Sequence, residues 1–320
     1  MPKGFFTQGV AVLFDAAPSR VAIREALEPA FEIAREDDGG DGWAQGGDGL
    51  IVTYRPDVNG YFNIDVVSQP WPDHMGDPTS EPELFAAWTF GHFGPNAYPG
   101  NLERAAEHNL TWEDAKEVAD KHKGFVRVRL SYVFGASDNA AMLPDDADPR
   151  AELNFAYGIA DKLLRMPGAL ALFNPGGEVL CELDTLEQAT TWAIENELEP
   201  LDIWSNLRFF QVDDTWSLMD TVGNAQLDLP DMEAVFQPAQ TDPNDVAALL
   251  RNVTGYMIEN GAVIEDGHTV DGPAGDVWHV HAFENSLSSP PRDVLCIVPE
   301  GVEPPPMVFE RDSDSDPEEE

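Results

Sequence analysis

The stretch Ile203–Phe236, IWSNLRFFQVDDTWSLMDTVGNAQLDLPDMEAVF, indicates the fold class of the chain. Two apolar runs, Leu207–Val212 and Trp216–Val222, flank the polar break Asp213-Asp214-Thr215. Runs rich in Phe, Trp and Val on either side of a short polar break are typical of a β-hairpin. Because both faces of the first run are apolar, the sequence predicts a hairpin at the centre of a sheet that helices cover.

Strand-like and helix-like segments alternate on both sides of this hairpin. The pattern predicts an α/β (α+β) fold with mixed sheets and flanking helices. Asn59-Gly60 marks one further hairpin turn, and Asp242-Pro243 marks a helix start that runs to Gly261. The other predicted segments are strands at Gly9–Phe14, Leu50–Tyr54, Tyr61–Val67, Phe125–Phe134 and Gly168–Phe173, and helices from Ser19 to Arg35, with Pro29 kinking or dividing it, Ala151–Met166 and Leu186–Asn196.

The order of these segments predicts three regions. Residues 1–122 form an N-terminal β-α-β-β unit with a helical extension, residues 123–303 form a C-terminal α/β unit, and residues 304–320 form a disordered acidic tail. The segments Gly9–Val67 and Phe125–Val222 both open with an apolar strand that leads into an amphipathic helix. We therefore expect two related α/β units, packed as halves or sharing one sheet.

The charge of the chain is strongly negative. Its 320 residues include 18 Lys and Arg against 59 Asp and Glu, a net charge of −41. Such acidity suits solubility in a salt-adapted host, attraction of a basic protein partner, or mimicry of nucleic-acid phosphate. Binding of nucleic acid is excluded, because that requires Lys and Arg footprints on the surface.

The cysteine count and the apolar runs indicate a cytoplasmic protein. Cys181 and Cys296 are far apart, which excludes a disulfide scaffold and a cysteine-rich zinc site, and buried thiols in a reducing compartment are expected. The N-terminus does not have the pattern of a signal peptide. The sequence predicts no membrane span, since apolar runs stay well below the length that crosses a bilayer.

Motifs of common enzyme classes are missing from the sequence. It contains no nucleophile elbow and no glycine-rich nucleotide-binding loop. His279 and His281 share one face of a predicted strand and Glu284 follows, so these three could begin a metal site in a hydrolase, with a further ligand from His268, Asp271 or Asp276. We expect no cofactor and treat this metal-dependent hydrolase as the alternative.

Two acidic loops that contain tryptophan are the predicted partner-binding surface. Tryptophan is favoured at the centres of interfaces, and carboxylates attract a basic partner. The alternative is that each tryptophan is a core residue that caps its loop. The predicted residues are Asp37, Asp38, Asp41, Trp43 and Asp48 in the first loop and Trp71, Asp73 and Asp77 in the second.

Two motifs carry a resemblance to a known family. Thr221-Val222-Gly223 followed by Leu229-Pro230-Asp231-Met232-Glu233 resembles the signature of the bacterial family called domain of unknown function 4261, and Pro167–Leu172 is similar to a second feature of that family. The chain departs from the family pattern at Gln226–Leu229, where a small apolar residue and Gly-Leu are usual. The resemblance extends over roughly residues 123–260, and it implies a place in bacterial toxin and immunity loci.

Composition and resemblance together predict a function in binding. We expect a non-catalytic, cytoplasmic protein that neutralises a basic protein, as the immunity partner of a secreted bacterial toxin would. A secretion adaptor or chaperone is a further alternative, and it would show an exposed apolar groove.

Overall fold

The computed structural model describes residues 4–40, 42–44, 46–133 and 141–311. The chain divides into two compact units, Met1–Asn206 and Leu207–Glu320. This division corrects the predicted boundary at 122/123. The strand that follows Lys123 pairs with the N-terminal strands, so residues 124–206 complete the first unit.

The first unit contains a seven-stranded antiparallel sheet. Its order is β2-β3-β4-β5-β1-β6-β7, so the segments Gly9–Val67 and Phe125–Asn174 share one sheet. All seven residues of β1 are buried, as expected for a strand covered on both faces. The strands are β1 (Gln8–Phe14), β2 (Ile33–Asp37), β3 (Gly49–Arg55), β4 (Gly60–Val67), β5 (Gly124–Ser131), β6 (Ala169–Asn174) and β7 (Val179–Cys181).

Helices cover both faces of this sheet. The α5 helix packs on β1, β5 and β6, and α1 packs beside it. Short helices cover the other face, around a core that includes Trp71, Trp88 and Phe93. The helices are α1 (Arg20–Leu27), α2 (Pro82–Thr89), α3 (Asn101–Glu107), α4 (Ala115–Lys121), α5 (Pro149–Leu164), α6 (Leu183–Asn196) and α7 (Leu201–Trp204).

The first helix is shorter than predicted. Ser19 caps it, as expected, with its hydroxyl accepting from the Ala22 amide at 3.3 Å. The helix ends at Leu27, and residues 33–37 form β2 rather than its last turns. Pro29 accounts for the difference, because proline cannot continue a helix.

The second unit contains a six-stranded sheet and one long helix. The strand order is β11-β12-β13-β10-β9-β8, and β10 and β13 pair in parallel at its centre. Asp242 caps the helix, as predicted. The elements are β8 (Asn206–Gln211), β9 (Ser217–Val222), β10 (Asp231–Phe236), α8 (Pro243–Asn260), β11 (Thr269–Asp271), β12 (Val277–Phe283) and β13 (Val294–Pro299).

The predicted hairpin exists as β8 and β9, but its central position was wrong. β8 is the last strand in the order of the sheet, and Phe209 is 38% exposed. The apolar residues on the two faces of β8 therefore do not indicate full cover. Phe210 packs against a core cluster, whereas Phe209 lies 6.3 Å from the Phe236 ring and is still partly exposed to solvent.

The second sheet consists of two similar halves. β8-β9-β10 and β11-β12-β13 follow each other in mirrored order around the parallel β10–β13 pair. Tryptophan lies near the start of the middle strand of each half, since Trp216 precedes β9 and Trp278 is the second residue of β12. Aspartate lies near the start of the last strand, since Asp231 begins β10 and Asp293 precedes β13. This order indicates an internal repeat within residues 206–299.

The helices that precede these halves end in similar sequences. Trp192-Ala193-Ile194-Glu195-Asn196 ends α6, and Tyr256-Met257-Ile258-Glu259-Asn260 ends α8. Asn196 Nδ2 donates to the Trp192 carbonyl at 2.7 Å, and Asn260 Nδ2 donates to the Tyr256 carbonyl at 2.8 Å. The helix that precedes each half in the chain thus ends in a similar sequence with the same asparagine contact.

Candidate functional site

The first predicted acidic loop is held by the sheet beneath it. Arg127 Nη1 donates to the Trp43 carbonyl at 2.6 Å, and the half-buried Trp43 ring lies 6.0 Å from the Phe93 ring. Arg20 Nη1 lies 2.9 Å from Asp38 Oδ1 and 3.8 Å from Asp48 Oδ1. Both of these carboxylates are exposed, so they can face a partner.

The remaining residues of that loop have local roles or lie outside the description. The half-buried Asp37 accepts from the Gly39 amide at 3.1 Å. Asp41 lies outside the described residues.

Trp71 lies in the core, which corrects the expectation of an exposed anchor in the second loop. Its side chain is 4% exposed and packs against the rings of Trp88, Phe93, Phe125 and Phe173. Its indole N–H donates to Asn101 Oδ1 at 3.0 Å, which satisfies the polar end of the ring. Trp71 and Trp43 both pack against Phe93, so the structure brings them together beneath the surface.

The two acids of the second loop cap backbone turns. Asp73 accepts from the amides of Leu102 and Glu103, at 3.1 and 2.6 Å. Asp77 accepts from the amides of Thr79 and Ser80, both at 2.8 Å, and these bonds lower its pKa. Asp77 is exposed and Asp73 half-buried, and their part in partner binding stays a prediction.

Beneath the first loop lies a buried charge cluster that the sequence did not reveal. Asp65 on β4 pairs with Arg127 and Arg129 on β5, and Arg129 Nη2 lies 3.0 Å from Asp65 Oδ1. Burial raises the pKa of Asp65, but the two guanidinium groups outweigh it, and the pKa lies below its usual value. Burial and Arg127 lower the pKa of Arg129 to about 9.

A second charge cluster lies on one face of the sheet of the second unit. Asp220 on β9 is opposite Glu233 on β10, and Glu233 is opposite Cys296 on β13. Arg208 and Arg292 both contact Asp220, at 2.7 and 2.5 Å. Residues directly opposite each other on neighbouring strands lie on the same face, so Asp220, Glu233 and Cys296 form a row across the sheet.

The loop between β12 and β13 covers this row. Arg292 Nη1 donates to the carbonyls of Ser288 and Pro290, at 3.0 and 2.8 Å, and the Ser288 hydroxyl donates to Asp220. The Leu287 amide donates to Glu233 Oε1 at 2.7 Å. Each of these polar groups forms a hydrogen bond with a neighbour in the cluster. Such a network of buried hydrogen bonds stabilises the fold.

The segment after β13 also packs onto this face. Val308 is fully buried, and Arg311 Nη2 lies 2.8 Å from Glu233 Oε2, with its guanidinium 3.7 Å above the Phe283 ring. This corrects the predicted disordered tail, whose start at Pro304 was too early, because residues 304–311 belong to the unit. Residues 312–320 lie outside the described residues.

The histidines of the alternative metal site have other neighbours. His279 Nε2 lies 3.6 Å from Glu300 Oε1, and the His281 ring lies edge-on to Phe309 at 4.9 Å. Glu284 is exposed. Within residues 4–40, 42–44, 46–133 and 141–311, no three His, Cys, Asp or Glu side chains form a group that could hold a metal ion.

The acidic surplus lies at the surface. Among the described residues, the buried charged side chains are four arginines and six carboxylic acids. The interior therefore takes up little of the net charge of −41. The surface of this chain can attract and hold cationic groups.

The most exposed aromatic side chain in an acidic setting is one that the sequence analysis missed. Trp192 on α6 is 53% exposed, and Glu195 and Glu197 beside it are exposed as well. The available signal is the absence of Lys, Arg and His from Met166 to Leu207, which surrounds this tryptophan with carboxylates alone.

The described helices include none that is both long and apolar enough to cross a membrane. Searches of curated proteins and of solved structures found no match to the chain. A family model does match residues 220–298, which contain Asp220 and Glu233 of the charged row and Arg292 of the loop that covers it. The match begins later and ends later than the predicted resemblance, and Pro167–Leu172 lies outside it. Over this segment the chain is a match to the family described as a domain of unknown function (DUF4261).

Proposed function

We propose that the protein is a non-catalytic acidic binding protein that neutralises a basic protein, as the immunity protein for a secreted bacterial toxin. One observation carries the proposal. The negative charge of the chain is left at the surface, because the buried charges are few and of both signs. A surface of this kind raises the association rate with a cationic protein.

The mechanism has two steps. Long-range attraction brings the basic partner to the acidic surface, and short-range contacts then cover the partner's active site. We place the protein in the cytoplasm, where both cysteines would stay reduced, and both are buried free thiols. The segment 220–298 matches the family that the sequence resembles, and the toxin and immunity locus is part of the proposal that this resemblance implies.

Association kinetics test the first step. A partner captured from the source cells would be purified, and its association rate with the protein would be measured between about 20 and 500 mM salt. We expect a cationic partner whose association slows at least tenfold over this range, since salt screens exposed charges. The partner's activity should also disappear in a one-to-one complex.

Two outcomes would count against the proposal. An association rate that does not change with salt would remove the electrostatic step and favour an adaptor that binds apolar segments. A partner that stays fully active in the complex would remove neutralisation. An acidic protein of similar size serves as the control for salt effects on the assay.

A further inference from the structure

The α6 helix is uncovered to an unusual degree for a helix of 14 residues. Its buried side chains are Leu186 and Ala193. The α8 helix, which ends in a similar sequence, buries Val246, Leu250, Val253, Thr254 and Met257. Most of the circumference of α6 is therefore free for another molecule.

Apolar side chains lie on both flanks of this exposed surface. Trp192 is 53% exposed and Ile194 is 73% exposed. At 100° per residue these two positions fall on opposite sides of the buried stripe of the helix. Leu198, which follows the helix, is also exposed. Trp192 and Ile194 therefore point in nearly opposite directions, and a molecule that lies along one flank of α6 meets only one of them. Trp192 is the larger of the two and has Glu195 one turn away.

Carboxylates lie between these two flanks, on the side of α6 that faces away from the protein core. Asp184 and Glu195 fall on the side of the helix opposite Leu186 and Ala193, and both are exposed. Glu187 is also exposed, and Arg165 Nη2 lies 2.6 Å from its Oε1. Since no basic residue occurs from Met166 to Leu207, the segment contributes negative charge only.

We propose that α6 is the docking surface for a cationic, amphipathic segment of a partner protein, in which Lys or Arg side chains border apolar ones. This rests on the proposed function and names the surface that performs it. The apolar side chains of the segment would pack on Trp192, and its cations would pair with Asp184 and Glu195, which lie on the same side of the helix. Tryptophan is enriched among the few residues that carry most of the affinity of an interface, and charge pairs at the rim raise the association rate.

Charge complementarity excludes two other occupants of this surface. Two copies of the chain that met face to face through α6 would bring like charges together, which opposes association. A membrane surface with anionic headgroups would repel the same carboxylates. The partner must therefore bring the positive charge.

The test uses a labelled 14-residue peptide of alternating Lys and Leu, and a peptide of Ser and Leu as the neutral counterpart. The variant Trp192→Ala with Glu195→Lys removes the docking contacts. The matched control is Tyr256→Ala with Glu259→Lys, because Tyr256 is 52% exposed and has the same spacing to its glutamate and asparagine. Fluorescence anisotropy gives the dissociation constants, and oxidative footprinting compares the labelling of Trp192 and Tyr256.

We expect the Lys/Leu peptide to bind the wild-type protein, protect Trp192 and leave Tyr256 labelled. The α6 variant should bind at least tenfold more weakly, while the α8 control stays within about twofold. Equal weakening in both variants would overturn the docking surface and leave general electrostatic attraction intact. No binding of the wild-type protein at low salt would overturn both proposals. Self-association that the α6 variant abolishes would show a second copy as the occupant.

Discussion

Arg208 and Asp220 form a two-point ion pair inside the second unit, with Nε 3.0 Å from Oδ1 and Nη2 2.7 Å from Oδ2. Arg292 contacts the same carboxylate at 2.5 Å, so one Asp holds two guanidinium groups. Burial raises the pKa of Asp220, but Arg292 and Arg208 outweigh it, and the pKa lies below its usual value. Asp220 is therefore the anion on which this part of the fold depends.

Asp220→Asn should lower the free energy of unfolding by about 3–5 kcal/mol, because it leaves two buried cations without their shared anion. Arg208→Met should cost clearly less, since Arg292 still neutralises Asp220. Urea unfolding followed by tryptophan fluorescence measures both. Asp214→Asn, in the exposed turn of the hairpin, is the control and should change little. Equal losses in the first two variants would show that Arg292 does not share the carboxylate.

Asp65 in the first unit should respond in the same way. Asp65→Asn leaves Arg127 and Arg129 buried without a counter-ion, and we expect a loss of about 3–5 kcal/mol. Arg129→Met leaves one cation and one anion, and it removes a guanidinium that lies 4.2 Å above the Phe6 ring. We expect this second variant to be the more stable of the two in urea unfolding. The reverse order would mean that the packing of Arg129 outweighs the charge balance.

His92 predicts a pH dependence of stability between the neutral and the acid range. Burial, Arg129 and Arg127 lower its pKa from 6.5 to about 4. A lowered pKa means that the unfolded chain binds the proton first, so the stabilisation is complete above pH 6.5 and is lost as the pH falls toward 4. Because the ring is only partly buried, we expect a loss of about 1 kcal/mol between pH 7 and pH 5.

The His92→Gln variant isolates this effect, since glutamine does not titrate. Its free energy of unfolding should vary less between pH 7 and pH 5 than that of the wild-type protein, in urea titrations at both pH values. Identical pH profiles would assign the loss to other groups.

The segment 304–311 should control access to Cys296. Burial raises the pKa of Cys296 to about 12, and Val308 packs in the same core cluster as this cysteine. A chain truncated after Gly301 loses that cover, so Cys296 should react with a disulfide reagent at least tenfold faster. Truncation after Arg311 removes only the acidic end and should leave the rate unchanged. Cys181, buried in the first unit, reports unfolding if it reacts as well.

Local sequence patterns predicted the elements better than their positions. The turn between β3 and β4, where Asn59 adopts φ 60°, and the Asp242 cap of α8 were both predicted. Each of them depends only on residues that are neighbours in the sequence. The place of β8 at the end of its sheet depends on which strands pair with it. Its two apolar faces are compatible with an edge or a centre.

The charged residues were harder to place for a related reason. Arg127 and Arg129 alternate with apolar residues on β5, which is typical of a strand with one face in water. The structure buries them because Asp65 lies directly opposite Arg127 on the neighbouring strand. Likewise Trp71 finds Asn101 for its indole N–H, 30 residues away in the chain. Partners that are distant in sequence decide whether a polar or aromatic side chain is buried.

The parallel pairing of β10 with β13 joins the two halves of the repeat inside one polypeptide. Each half thus has its counterpart permanently attached by α8, at an effective concentration in the millimolar range that no pair of separate chains reaches in a dilute solution. A fragment that stops at Phe236 would lack β13 and expose the unpaired edge of β10. That edge would tend to pair with a strand of another molecule. Covalent linkage thus supplies both strands of the β10–β13 seam from the same polypeptide.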